Sequence, residues 1–142
     1  MDALLQWCSK LVEPVAGRSL GLCAVAGDAS FRRYLRVDVQ AGGGNGTVIA
    51  QGGRFGGWSL YVKDGVPAYD YNFLGLQRTS IASAKKLAAG KAELRFQFDY
   101  DGGGPGKGGL GTLFVNGEKV AEGRIPATQP GMFSADETAD IG

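Results

Sequence analysis

The sequence predicts a mainly β protein, an antiparallel sandwich or barrel preceded by one short N-terminal α-helix. Three observations carry this. Leu94, Phe96, Phe98 and Tyr100 alternate with Arg95, Gln97 and Asp99, the cleanest of several period-two runs. Asp64-Gly65 and Asn116-Gly117 each join two such runs, the pairing that two-residue hairpin turns favour. Finally, 25 of the 142 residues are glycine, about two and a half times the usual ~7%. They cluster between apolar runs, which fits many tight turns and not disorder.

Taken in order, Asp2 is placed to cap a helix with Leu4, Leu5, Cys8, Leu11 and Val12 on one face, Trp7 at its edge and Pro14 after it. About three turns long, it needs something to dock on. Arg18 to Val25 is a short apolar run, and Ala26 to Ala29 reads as a turn. Ser30 to Val39 alternates as a strand: Phe31, Arg33, Leu35, Val37 and Val39 share one face. Gly42 to Gly46 is a turn, Thr47 to Ala50 a short strand, and Trp58, Leu60 and Val62 alternate up to Asp64-Gly65. The return strand is Ala68 to Phe73, with Pro67 at its start where no ladder donor is lost.

Between Ile81 and Ala92 the alanines and lysines invite a helix. Gly90 and the flanking strands favour strand, loop, strand instead. Thr112 to Val115 and Glu118 to Ala121 form a type I′ hairpin about Asn116-Gly117. Alternating strands with one apolar face suit two sheets packed face to face, which makes Trp58, Phe96, Phe98 and Phe114 core residues; the alternative is an aromatic platform for a sugar. In Gln51-Gly-Gly-Arg-Phe-Gly-Gly-Trp58, the glycine pairs are expected to let the backbone turn tightly and pass close to the facing sheet.

Composition limits the functional classes. The length predicts a single domain, and a 44% hydrophobic, 20% charged chain is an ordinary globular one. With 15 basic and 14 acidic residues, a net charge of +1 gives no reason to expect nucleic acid or a membrane as partner. No apolar run approaches the ~18 residues of a membrane span, and the absence of a signal peptide makes a cytoplasmic location the default expectation. Cys8 and Cys23 read as buried thiols with a disulfide as the alternative. There is no histidine, which removes the commonest general base and metal ligand.

Candidate chemistry is sparse. Asp101 to Gly108 looks like a phosphate-binding loop, but Asp101 stands where its first glycine belongs and Gly108 where Ser or Thr must hold magnesium. It also leads into a strand, so no helix N-terminus faces a phosphate. Asp99 and Asp101 are the right ligand type for calcium, without the further acidic spacing a site needs. Asp136, Glu137 and Asp140 read as a solvated tail. Arg32, Arg33 and Arg36 form a small basic cluster, with Arg33 at an apolar edge. Asn45-Gly46-Thr47 matches a glycosylation sequon and reads as a turn. No nucleophile elbow and no Ser-His or Cys-His pair is present. Catalytic, cofactor and metal residues are therefore expected to be none.

Six stretches carry a resemblance: GTVIAQGGRFGGWSLYVKDG, YNFLGLQR, FDYDGGGPGKGG, GTLFVNGEKV, EGRIP and FSADET. In this order they resemble the C-terminal β-sandwich region of bacterial arylsulfatases, from near Leu35 to Gly142. The resemblance implies a concanavalin-like or laminin-G-like jelly roll beside a catalytic domain. It brings no catalytic residue, because neither Cys8 nor Cys23 opens a Cys/Ser-x-Pro-x-Arg motif. At least one strand beyond Gly142 would be expected of that family, so self-association through an open sheet edge is a further expectation.

Residues 1–37 are similar instead to the start of aminoglycoside-phosphotransferase-like sugar kinases, through AGDASFRRYLRV. That resemblance would set Asp28 to Phe31 over nucleotide phosphates. Together the two imply a fusion, with residues 38–142 as the sulfatase-type sandwich and the seam near Tyr34 to Ala41. The expected function is a non-catalytic accessory module with a structural, interaction or weak carbohydrate-binding role. Its expected partners are a sulfatase catalytic domain or a carbohydrate. The alternatives are a nucleotide-binding fragment using the Asp28-Phe31 loop, or a fusion fragment with no function of its own.

Overall fold

A computed structural model describes residues 32–39, 43–130 and 139–141. Nine strands account for most of them: β1 (Arg32–Val39), β2 (Gly46–Gly53), β3 (Gly56–Lys63), β4 (Val66–Phe73), β5 (Gln77–Ala82), β6 (Gly90–Tyr100), β7 (Lys107–Val115), β8 (Glu118–Ala127) and β9 (Ala139–Ile141). No helix occurs among the described residues. The expected N-terminal helix, the apolar run from Arg18 to Val25, both cysteines and the Asp28-Phe31 loop lie outside them.

The strands form two antiparallel sheets, one of four strands in the order β1-β6-β7-β8 and one of five in the order β5-β4-β3-β2-β9. Two hairpins follow the turn chemistry of the sequence. Asp64 (φ 53°) and Gly65 (φ 80°) connect β3 to β4, and Asn116 (φ 50°) and Gly117 (φ 84°) connect β7 to β8. Positive φ at both central positions is the type I′ signature, whose twist matches that of the strands it joins. Each turn is also tied to a neighbour. Asp64 N donates to Asn45 Oδ1 (2.5 Å), and Glu93 N donates to Asn116 Oδ1 while Asn116 N donates to Glu93 O (both 2.8 Å).

Between β5 and β6 the chain crosses from one sheet to the other, where Ala and Lys are plentiful and yet no helix forms. Ser83 N donates to Pro67 O (3.0 Å) and Leu87 N to Gly65 O (2.7 Å), which pins the segment along β4. The Ser83 hydroxyl accepts from Lys85 N (3.0 Å), a local bond that competes with helical pairing. Leu87 meanwhile is buried in the core, so its contacts outweigh the helix propensity around it.

Buried side chains of both sheets form one cluster. Leu60, Val62, Tyr69, Tyr71 and Ile81 come from the five-stranded sheet, and Val37, Val39, Leu94, Phe96, Leu113 and Ile125 from the four-stranded one. The Tyr69 ring stacks on Phe96 across the two, with centroids 3.5 Å apart and planes 8° apart. Each of the least exposed side chains (Leu60, Leu94, Leu113, Ile125) removes from water apolar surface contributing about 1.5–3 kcal/mol.

Several expectations need correction. The glycine pairs at 52–53 and 56–57 do not approach the facing sheet; they approach each other across the β2–β3 hairpin, where Gly52 pairs with Gly57 and Gly53 with Gly56. Phe114 is not a core residue. It lies on the opposite face of β7 from Leu113, with the Arg95 guanidinium 3.7 Å above its ring. Asp140 is not in a solvated tail, since it pairs with Ala50 in β9, a short strand that the sequence pattern did not announce.

Candidate functional site

A cleft of about 490 Å³ opens between the two sheets. One wall is Ile49, Gln51, Trp58, Leu60, Tyr69 and Tyr71, all on the five-stranded sheet. The other is Phe96, Phe98, Tyr100 and Ile125 of the four-stranded sheet. Pro105-Gly106 and Thr128 to Pro130 form its rim.

Glycines open this cleft. A Cβ on Gly109 would lie 2.5 Å from Phe98 Cζ, and one on Gly111 would lie 2.7 Å from Phe96 Cζ. The rings of β6 therefore lean over the bare backbone of β7. Facing sheets stand ~10 Å apart, a gap that side chains from both must fill. With two large rings lying over their own sheet, part of that gap stays open beside Trp58, which is half-buried and stacks on Tyr69 at 6.1 Å.

Hydrogen bonds hold the rim. Gln129 N donates to the Tyr71 hydroxyl (2.8 Å) and Thr128 Oγ1 to Lys107 O (2.6 Å). The Tyr100 hydroxyl donates to Gly104 O and accepts from Lys107 N (3.0 Å), so one tyrosine latches the glycine-rich loop against the cleft. Burial pushes the Tyr69 and Tyr71 hydroxyls above the ordinary phenol range; the Tyr69 shift is the larger, and its neighbour Tyr71 adds to it.

The residues singled out in the sequence fall apart spatially. Trp58, Phe96 and Phe98 meet in the cleft, and Phe114 does not. Residues 101–106 form the β6–β7 loop, and a strand follows them. Of the two carboxylates considered for calcium, Asp99 accepts from Gln97 Nε2 (3.0 and 3.2 Å), whereas Asp101 takes both Arg124 guanidinium nitrogens. That pairing holds the Asp101 carboxyl below its ordinary range. No group of three or more His, Cys, Asp or Glu that could hold a metal occurs among the described residues.

Sequence reasoning missed Gln51, Ile49 and Tyr71 as cleft residues. Alternation placed Tyr71 in β4, but only the register Trp58↔Tyr71 and Gln51↔Trp58 shows that the three share one wall. Compared with known proteins, the chain matches no protein-family model, no curated protein and no solved structure. Fold and site together define an antiparallel two-sheet module with an aromatic-lined, largely apolar cleft.

Proposed function

We propose that this chain is a non-catalytic β-sandwich module of the concanavalin- and laminin-G-like jelly-roll kind. In this reading it is related to the C-terminal accessory region of bacterial arylsulfatases, and its cleft is a weak seat for a carbohydrate ring. The observation that carries the reading is the cleft itself. Its volume lies within the ~300–1,000 Å³ usual for ligand sites, and Trp58, Tyr69 and Phe98 offer aromatic surface while Gln51, Thr128 and Gln129 offer polar groups at one end. A sugar ring needs that combination, an apolar face to stack and hydroxyls to bond. Two antiparallel sheets sharing one core support the sandwich, and β1 on the edge of the four-stranded sheet fits a strand supplied from the other side of the proposed fusion seam.

The test uses Trp58 as the reporter in a Trp7→Phe background, which leaves a single tryptophan. Titration with neutral and sulfated oligosaccharides should give a saturable fluorescence change at millimolar ligand, weakened by Gln51→Ala. Genuine turnover of a sulfate ester by the purified chain would sink the non-catalytic reading. A flat titration across the sugar panel would remove the carbohydrate.

A further inference from the structure

Just beyond the wall residues Gln51, Trp58 and Tyr71, the β2–β3 turn and the β4–β5 turn are fastened into one tip. Asn72 Nδ2 donates to Gly53 O (2.9 Å) and Arg54 O (3.2 Å), and Asn72 Oδ1 accepts from Gly75 N (3.1 Å). The two turns touch closely enough that a Cβ on Gly75 would lie 3.1 Å from Arg54 O. This tip carries most of the exposed bulky apolar surface among the described residues: Phe55 is 70% exposed, Leu76 82% and Leu74 41%, with Tyr100 the only other. Leu74 also holds φ at 54°, a conformation that Gly or Asn takes readily and leucine does not.

The charges around the tip have one sign. Arg54 and Arg78 are exposed, and neither 52–57 nor 73–78 contains an Asp or Glu. Arg78 pairs in register with Asn72, the residue that bonds Arg54 O, so both cations belong to the same tip. The net charge of +1 conceals this local pair.

We propose that the tip docks on an anionic phospholipid surface. Phe55, Leu74 and Leu76 enter the headgroup region while Arg54 and Arg78 meet the anionic headgroups. Apolar side chains combined with cations are what interfacial binding requires. A protein partner fits less well, because three exposed apolar side chains are few for the ~800 Å² per partner of a stable interface.

The test is co-sedimentation of the full chain with phosphatidylcholine vesicles and with an equimolar phosphatidylcholine–phosphatidylserine mixture. The expected result is partition onto the anionic vesicles that weakens as salt rises. Phe55→Ser/Leu76→Ser should lower it about tenfold or more, losing about 1.4 kcal/mol. Arg54→Gln/Arg78→Gln should lower it roughly fivefold per arginine, on anionic vesicles only. The single Leu76→Ser variant serves if the double fails to fold by circular dichroism, and sugar titration of Trp58 should be unchanged in all of them. No partition of the native chain, or partition equal in every variant, overturns the proposal. Concentration-dependent dimerisation abolished by Leu76→Ser, without vesicle binding, gives the tip to a second copy and overturns it equally.

Discussion

Replacing Gly57 by alanine tests the account of the β2–β3 hairpin most directly. Gly57 has φ +147°, and a Cβ there would lie 2.2 Å from Gln51 O and 2.9 Å from Gly52 Cα. Both are backbone atoms of the paired strand, so no side chain can swing away to make room. Gly52 repeats the problem from the other side, with φ +80° and a Cβ position 2.3 Å from Gly56 O. Holding a non-glycine residue in such backbone costs about 1–3 kcal/mol. Relieving the clash means breaking the Gly52↔Gly57 pairing next to Trp58, which raises the expected loss to about 3–5 kcal/mol, among the largest of single substitutions. The control is Gly46→Ala in the partner strand β2, where nothing lies within 4 Å of the added Cβ; its effect should stay within about 0.5 kcal/mol. Urea unfolding of both variants, compared at unchanged m, reads the difference. A Gly57→Ala protein as stable as Gly46→Ala would refute the close approach across the hairpin.

Two further predictions follow from the same geometry. Gly111→Ala puts a methyl 2.7 Å from both Ile81 Cδ1 and Phe96 Cζ; these are side-chain atoms that can give, so the loss should be the ~1–3 kcal/mol of overpacking, with Trp58 emission shifted because Phe96 shares its cleft. An unshifted emission with full stability would contradict the leaning-ring account. Burial raises the hydroxyls of Tyr61, Tyr69 and Tyr71 above their ordinary 10.0, with Asp70 adding to the Tyr61 shift and Tyr71 to that of Tyr69. A folded pKa raised above the unfolded one means that the stabilisation is complete below pH 10 and is lost as pH climbs beyond it. Tyrosinate absorbance of the native chain should therefore lag that of the chain in denaturant, and coincident titration curves would refute the burial of these rings.

Legibility in the sequence followed the range of each interaction. Asp64-Gly65 and Asn116-Gly117 were readable because a type I′ turn is set by two adjacent residues and needs no distant partner. Leu94 and Phe96 were readable because alternation on β6 coincides with burial there. Gln77–Ala82 was harder to delimit. Its pattern of mostly exposed residues around one buried isoleucine, Ile81, carries little period-two signal. Phe114 failed for a different reason. It lies in the continuous apolar run Leu113-Phe114-Val115, where alternation marks no inward face, and its register partner on β6 is Arg95; aromatic character alone does not tell a core ring from one covered by an arginine.

Glycine explains why the cleft stayed hidden while the fold did not. Read along the chain, Gly109 and Gly111 are further glycines in a glycine-rich stretch, and the loop before them resembles a phosphate cradle that has lost its essential residues. Their role appears only when β7 is set beside β6, where each leaves the space that an aromatic ring occupies. Gly52 and Gly57 serve the opposite purpose, since they let two backbones close on each other and no ring enters between them. One residue type thus shapes the protein in two ways, by opening space between the sheets and by removing it within a hairpin. The partner strand decides which, and the partner strand is what a linear reading lacks. The same holds at the tip. Phe55 and Leu76 are separated by Trp58, two strands and a second turn in sequence, and Asn72 brings them side by side with three hydrogen bonds. An apolar residue isolated in each turn is unremarkable in a sequence. Two such turns clasped together, with Arg54 in one, Arg78 just after the other and no acid within 52–57 or 73–78, make a surface with a direction and a charge.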